Sequence, residues 1–152
     1  MAISIGDIKK LRGETGAGIA NCRAALNDSN GDFNKAKEIL KQKGLDKAAE
    51  KFDREVKAGV VETYSHGGKV GVIVEVLCES DFVAKTDEFK NLAHELALQV
   101  ASMKPESVSD LLAQEYIRDN SLTVDGLIKG VVSKLGENIQ VGRFERVELG
   151  GK

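Results

Sequence analysis

The sequence predicts an α+β fold: a three-helix N-terminal domain over residues 1–45, a helical connector over 46–58, and a core over 59–152 in which helices cover a small antiparallel sheet. Three observations carry that prediction. Residues 69–79 alternate, with Val70, Val72, Val74, Val76 and Cys78 on one side and Lys69, Gly71, Ile73, Glu75, Leu77 and Glu79 on the other, the period of a strand with one buried face. Residues 87–103 change to a helical period that places Phe89, Leu92, Ala93, Leu96, Ala97, Val100 and Met103 on one stripe. Residues 3–44 carry three shorter apolar stripes separated by breaks containing glycine.

At the N-terminus, Ser4 suits a helix N-cap, Asp7 its capping box, and Ile3 with Ile8 the hydrophobic staple. Ile5, Ile8 and Leu11 form the inward stripe, and Gly13 marks the end. Thr15-Gly16-Ala17-Gly18 turns the chain into a second helix with Ile19, Cys22 and Leu26 inward. After a turn over residues 27–31, Asp32 caps a third helix carrying Phe33, Ala36, Ile39 and Leu40, with Gly44 as its terminating residue. Leu45, Ala48, Ala49 and Phe52 keep a helical spacing through the connector. In the core, residues 60–65 pair with the alternating strand through a primed turn at Gly67-Gly68. Thr86 caps the long helix and Pro105 lies past its end. Leu111, Leu112, Tyr116 and Ile117 suit a short helix; Thr123 caps another, with Val124, Leu127, Ile128, Val131 and Leu135 inward and Gly136 as its stop. Residues 138–149 form a third strand whose apolar phase changes between Val141 and Phe144, which predicts a bulge or bend near Gly142.

Composition narrows the function. A formal charge of −2 supplies no broad basic field, which favours protein or small-molecule partners over nonspecific nucleic-acid binding. Cys22 and Cys78 fall on apolar stripes and read as core thiols in a reducing, cytoplasmic setting, and no apolar run reaches membrane-spanning length. His66 and His94 have no partners at metal-ligand spacing, the carboxylates form no acid/base pair, and no nucleophile elbow is present. The tract Gly13–Gly18 follows a helix and lacks the Gly-Lys-Ser/Thr ending of a phosphate loop, so it reads as a helix–helix turn or an exposed small-residue surface. No catalytic residue, metal or cofactor is expected.

Ser80-Asp81-Phe82-Val83 joins the main strand to the long helix. Pattern alone leaves Phe82 two roles: a plug closing the end of the core, or an aromatic wedge projecting toward a partner with Asp81 beside it. Further residues carry a resemblance. Leu11-Arg12, Thr15-Gly16-Ala17-Gly18, Cys22, Ala24-Ala25-Leu26 and Gly31-Asp32, then Cys78-Glu79-Ser80-Asp81-Phe82-Val83-Ala84, then Lys134-Leu135-Gly136-Glu137-Asn138-Ile139 follow one another in an order that spans nearly the whole chain. In these motifs the sequence resembles the elongation factor Ts family, guanine-nucleotide exchange factors for elongation factor Tu.

The resemblance implies an N-terminal domain like a ubiquitin-associated three-helix fold and a core of the family's dimerisation type. It also implies that Phe82 pushes into the nucleotide-binding domain of the GTPase near its magnesium and phosphate loops, with Ser80 as cap, Asp81 beside it and Val83 in support. A second contact is carried onto Arg12, Gly18, Ile19 and Ala20, where many relatives have methionines at the positions of Ile19 and Ala20. Many members also have a duplicated core and a long helical hairpin, whereas this chain has one core copy and about 30 residues from Glu106 to Leu135. Short single-core relatives work as homodimers, so the resemblance implies a homodimer, with neither nucleic acid nor membrane as partner. Two rival readings are a nonenzymatic adaptor built on the three-helix module, and a small enzyme using His66 with Glu79 or Asp81.

Overall fold

The computed structural model describes residues 2–151. Its N-terminal part is three helices, α1 (Ile5–Thr15), α2 (Ile19–Asp28) and α3 (Phe33–Lys51). Strands β1 (Ala58–His66) and β2 (Val70–Cys78), the short helix α4 (Asp81–Ala84) and the long helix α5 (Asp87–Met103) follow. The chain ends with α6 (Val108–Ala113), β3 (Glu115–Tyr116), β4 (Asp119–Thr123), α7 (Val124–Leu135) and β5 (Ile139–Glu148). The fold is α+β. β1, β2 and β5 make a three-stranded antiparallel sheet in that order, and β3 pairs with β4 in a separate two-stranded one.

Local chemistry explains most boundaries. Ser4 and Asp7 close a capping box at α1, and Asp32, Thr86 and Thr123 each accept a backbone N–H at the start of their helices. Gly136 takes a left-handed conformation at the end of α7. The β1–β2 hairpin turns at Gly67 and Gly68, both with positive φ, and the Lys69 N–H closes the turn on the His66 carbonyl at 3.1 Å. Because His66 faces Val70 in the ladder, residues 67–69 form a three-residue loop where a two-residue primed turn was expected. Gly59 also has positive φ, and a Cβ there would strike the Val76 carbonyl oxygen across the hairpin, so only glycine fits. Near Gly142 the β2–β5 register shifts: Val74 faces Phe144 and Val76 faces Val141, leaving Glu75 opposite both Gly142 and Arg143. The Glu75 side chain lies over Gly142 in the space a Cβ would take.

The main core lies between the inner sheet face and α5 and α7. Val72, Val74, Val76 and Cys78 of β2 pack with Phe89, Leu92, Leu96 and Val100 of α5 and Val124, Ile128 and Val132 of α7. Fully burying each large side chain on that α5 stripe contributes about 1.5–3 kcal/mol, so the stripe is the principal stabiliser of the sheet. A smaller cluster holds the N-terminal helices together through Ile8, Leu11, Cys22, Ala25, Leu26, Ala36 and Leu40.

Several expectations are corrected. Gly13 does not end α1, which runs to Thr15 and is capped by Gly16. Ile5 and Ile19, assigned inward, are exposed, as is Met103 on the last turn of α5. Gly44 does not end α3: the helix passes through it to Lys51 and packs on α7, where a Cβ at position 44 would lie 3.3 Å from Ser133 Oγ. Of the expected connector, residues 46–51 therefore belong to α3 and 52–57 are irregular, while Ala58 opens β1. Ala48 joins the main core, and Phe52 is exposed.

Tyr116 and Ile117 lie in a small hairpin instead of a helix. The tie is tertiary: the Tyr116 hydroxyl donates to Glu95 Oε2 at 2.9 Å, and Arg118 Nε donates to the same oxygen at 2.6 Å. Buried Gln99 bonds the hairpin backbone on both sides, its amide donating to the Glu115 carbonyl and accepting from the Ile117 N–H. Leu127, Val131 and Leu135 are half-buried, while Val132 takes the deeper position on α7.

Candidate functional site

The strand-to-helix junction is built as a braced tip. β2 ends at Cys78, and Ser80 caps the single turn of α4 by accepting the Val83 N–H at 3.3 Å. Val83 and Ala84 turn inward and are buried, and that phase leaves Asp81 and Phe82 outside. Phe82 is 82% exposed, so it is a projecting aromatic and not a plug.

Behind the tip stands a residue for which the sequence reading had no role. Glu137 Oε1 accepts the backbone N–H groups of Ser80 and Glu79 at 3.0 and 3.2 Å, and its Oε2 accepts the Ser80 hydroxyl at 2.6 Å. Charge-assisted bonds of this kind are about twice as strong as neutral ones, so the carboxylate locks the loop from which Phe82 projects. The lock is reciprocal: Glu79 Oε2 accepts the Asn138 N–H at 2.6 Å and sits 3.7 Å from Arg54 Nη1. Buried Asn138 then donates its side-chain amide to the carbonyls of Phe52 at 3.0 Å and Arg54 at 2.7 Å. The Cys78 thiol donates to the Ser80 carbonyl at 3.2 Å; burial, with the Glu137 charge adding, pushes it above the ordinary thiol range. It is therefore a structural thiol in a neutral state, not a nucleophile. The signal for Glu137 and Asn138 was the C-terminal motif itself, residues 134–139, whose polar pair falls just past a helix stop and before the last strand.

The N-terminal candidates form a second exposed patch. Arg12 lies in the last turn of α1, Gly18 is the N-cap of α2, and Ile19 and Ala20 open that helix; all four are exposed. The segment holding the tip also reaches toward this turn. A Cβ on Gly16 would lie 3.6 Å from Lys134 Cε, and Lys134 is three residues before Glu137. A cleft of about 610 Å³ separates the α1–α2 turn, α3 and α7, with Lys37, Lys41, Lys43, Lys47 and Lys134 on its walls. Thus the end of α7 stands between the two patches, touching the surroundings of one through Lys134 and bracing the other through Glu137.

His66 Nδ1 is 2.8 Å from the Tyr64 hydroxyl and does not meet Glu79 or Asp81 in any hydrogen bond or ion pair among the described residues. Among those residues no three His, Cys, Asp or Glu side chains converge to hold a metal ion. No helix there is long and apolar enough to cross a membrane.

An aromatic held in solvent on a locked loop is the geometry at the junction, and comparison with known proteins places the chain among translation elongation factors. The family model described as Elongation factor TS matches residues 79–152, the stretch that contains both halves of the lock. The chain is 42% identical to Elongation factor Ts of Coprothermobacter proteolyticus, over 99% of this chain and all of the relative. It is 38% identical to Elongation factor Ts of Fervidobacterium nodosum over the same shares, and 39% identical to the chloroplastic Elongation factor Ts of Rhodomonas salina, over 97% of this chain and 89% of the relative. The chain belongs to the elongation factor Ts family. The first of these alignments runs over 196 residues against a chain of 152, so that relative contains residues with no counterpart here.

Proposed function

We propose that this protein is a guanine-nucleotide exchange factor that promotes GDP release from elongation factor Tu. The single observation supporting this most is Phe82, 82% exposed on a loop held by three hydrogen bonds to one carboxylate. Exchange needs no covalent chemistry from the protein and no cofactor. A factor that binds the nucleotide-free GTPase more tightly than the GDP form weakens GDP by the same factor, because the two bindings are thermodynamically linked. Phe82 packs into the nucleotide-binding domain and displaces backbone near the magnesium and phosphate loops; GTP then rebinds and releases the factor.

Ser80 and Val83 set the tip geometry, Asp81 flanks the aromatic, and Arg12, Gly18, Ile19 and Ala20, on a UBA-like domain over residues 1–45, hold a second surface of the same GTPase. The outer face of the sheet supports a homodimer. Val61 is 62% exposed there and Val147 70%, with Ile73 between them and a shallow hollow of about 360 Å³ around Gly71. A second copy laid on this face covers apolar surface that the single helical layer leaves bare. The protein acts in the cytoplasm, without membrane or nucleic acid contact.

Stopped-flow release of labelled GDP from elongation factor Tu tests the reading. The wild-type chain accelerates release, and Phe82→Ala, with unchanged circular dichroism, reduces the acceleration at least tenfold, about 1.4 kcal/mol of transition-state stabilisation. No acceleration by the wild type refutes the exchange function.

A further inference from the structure

Phe52 is the second large aromatic that this molecule leaves in solvent, 65% exposed at the point where α3 gives way to irregular chain. An irregular segment that begins with an exposed aromatic would ordinarily be free to fold the ring back onto apolar surface. Here the backbone is held. The Phe52 carbonyl accepts from Asn138 Nδ2 at 3.0 Å and from Gln140 Nε2 at 3.4 Å. The Arg54 carbonyl accepts from the same Asn138 amide at 2.7 Å, and the Lys57 N–H donates to the Cys78 carbonyl at 3.1 Å. Asn138 is the neighbour of Glu137, which holds the loop of Phe82. The Phe52 backbone and the Glu79-Ser80 loop from which Phe82 projects are therefore fastened to one dipeptide, one to each residue.

We propose that Phe52 is a second aromatic anchor for the same GTPase, contributing affinity while Phe82 contributes exchange. The inference rests on the exchange reading above. Phe52 carries the features of an interface hot spot: a large apolar ring, a fixed backbone that loses little entropy on binding, and continuity with the neighbouring tip. The role assigned to Phe52 differs from that of Phe82: it lies outside the strand-to-helix tip proposed to act on the nucleotide site, and its proposed contact is uniform across the GDP form, the nucleotide-free form and the transition state between them. Uniform binding of this kind changes the concentration at which the factor works and leaves its maximal rate alone. Asn138 is a positioning residue that acts through the two carbonyls it holds.

The test is stopped-flow GDP release from elongation factor Tu across a concentration series of the full-length chain. Phe52→Ala should raise the half-saturating concentration about tenfold with the plateau rate unchanged, Phe52→Tyr should restore the wild-type curve, and Phe82→Ala should lower the plateau. The melting temperature of Phe52→Ala should equal that of the wild type, since the ring is largely in solvent. A Phe52→Ala curve superimposed on the wild type overturns the proposal and leaves the exchange function standing. So does a lowered plateau, or a change of mass in light scattering without a change in GDP release, which would assign Phe52 to contact with a second copy. If the wild-type chain itself releases no GDP, the exchange reading fails and this inference fails with it.

Discussion

Glu137 turns a flexible junction into a fixed one. Three donors converge on its carboxylate in a partly buried setting, and removing the acceptor leaves them without their partner. Glu137→Ala should lower the unfolding free energy by about 1–3 kcal/mol in urea titration and reduce the plateau rate of GDP release severalfold although Phe82 is intact. Tyr116 gives a second residue-level outcome. Burial, reinforced by the Glu95 carboxylate that its hydroxyl bonds, pushes its phenol up to about 12 from an ordinary value of 10.0. Because the folded-state value is raised, this contribution to stability is fully present below about pH 10 and is lost as pH climbs toward about 12. Tyr116→Phe should be less stable at neutral pH and should lack that alkaline loss, as read from urea midpoints between pH 9 and 12. Neither role was legible beforehand for the same reason. Capping residues such as Ser4, Asp32 and Thr86 bond groups three positions away, whereas Glu137 and Tyr116 bond groups 57 and 21 positions away. Exposure of Phe82 lay beyond pattern reading too, because it depends on which side of a single helical turn Val83 takes into the core.

At the level of elements, alternation on β2, the period of α5, the hairpin glycines and the break in β5 were all legible, since each follows from backbone periodicity or a turn's φ requirement. α3 was misread at Gly44. Glycine usually marks a helix end, but this one serves packing, letting α3 approach Ser133 of α7. The two uses differ in the sign of one substitution. In a Ser133→Ala background, where only ordinary contact with the position-133 Cβ at 3.5 Å remains, Gly44→Ala should stabilise the protein by about 0.5–1 kcal/mol through helix propensity. A glycine in the left-handed state that terminates a helix would be destabilised by the same change. Urea denaturation of the single and double variants distinguishes them.

For the molecule as a whole, the sheet is covered on one side only. Light scattering at micromolar concentration should give a mass near twice 16.4 kDa, and Val147→Asp, on the exposed face, should return the monomer without altering the circular dichroism spectrum. The continuity of α3 also bears on time. Its early turns place Ala36 and Leu40 in the smaller cluster, and its last turns place Ala48 in the main core. A pliant tether between two gripping surfaces lets a partner let go of one while the other recaptures it, at an effective concentration in the millimolar range, so that departure proceeds through half-bound states. A helix unbroken from Phe33 to Lys51 removes that intermediate. On the proposed two-surface contact, elongation factor Tu should leave this factor in one event, with single-exponential dissociation and a residence time that collapses when either surface is removed.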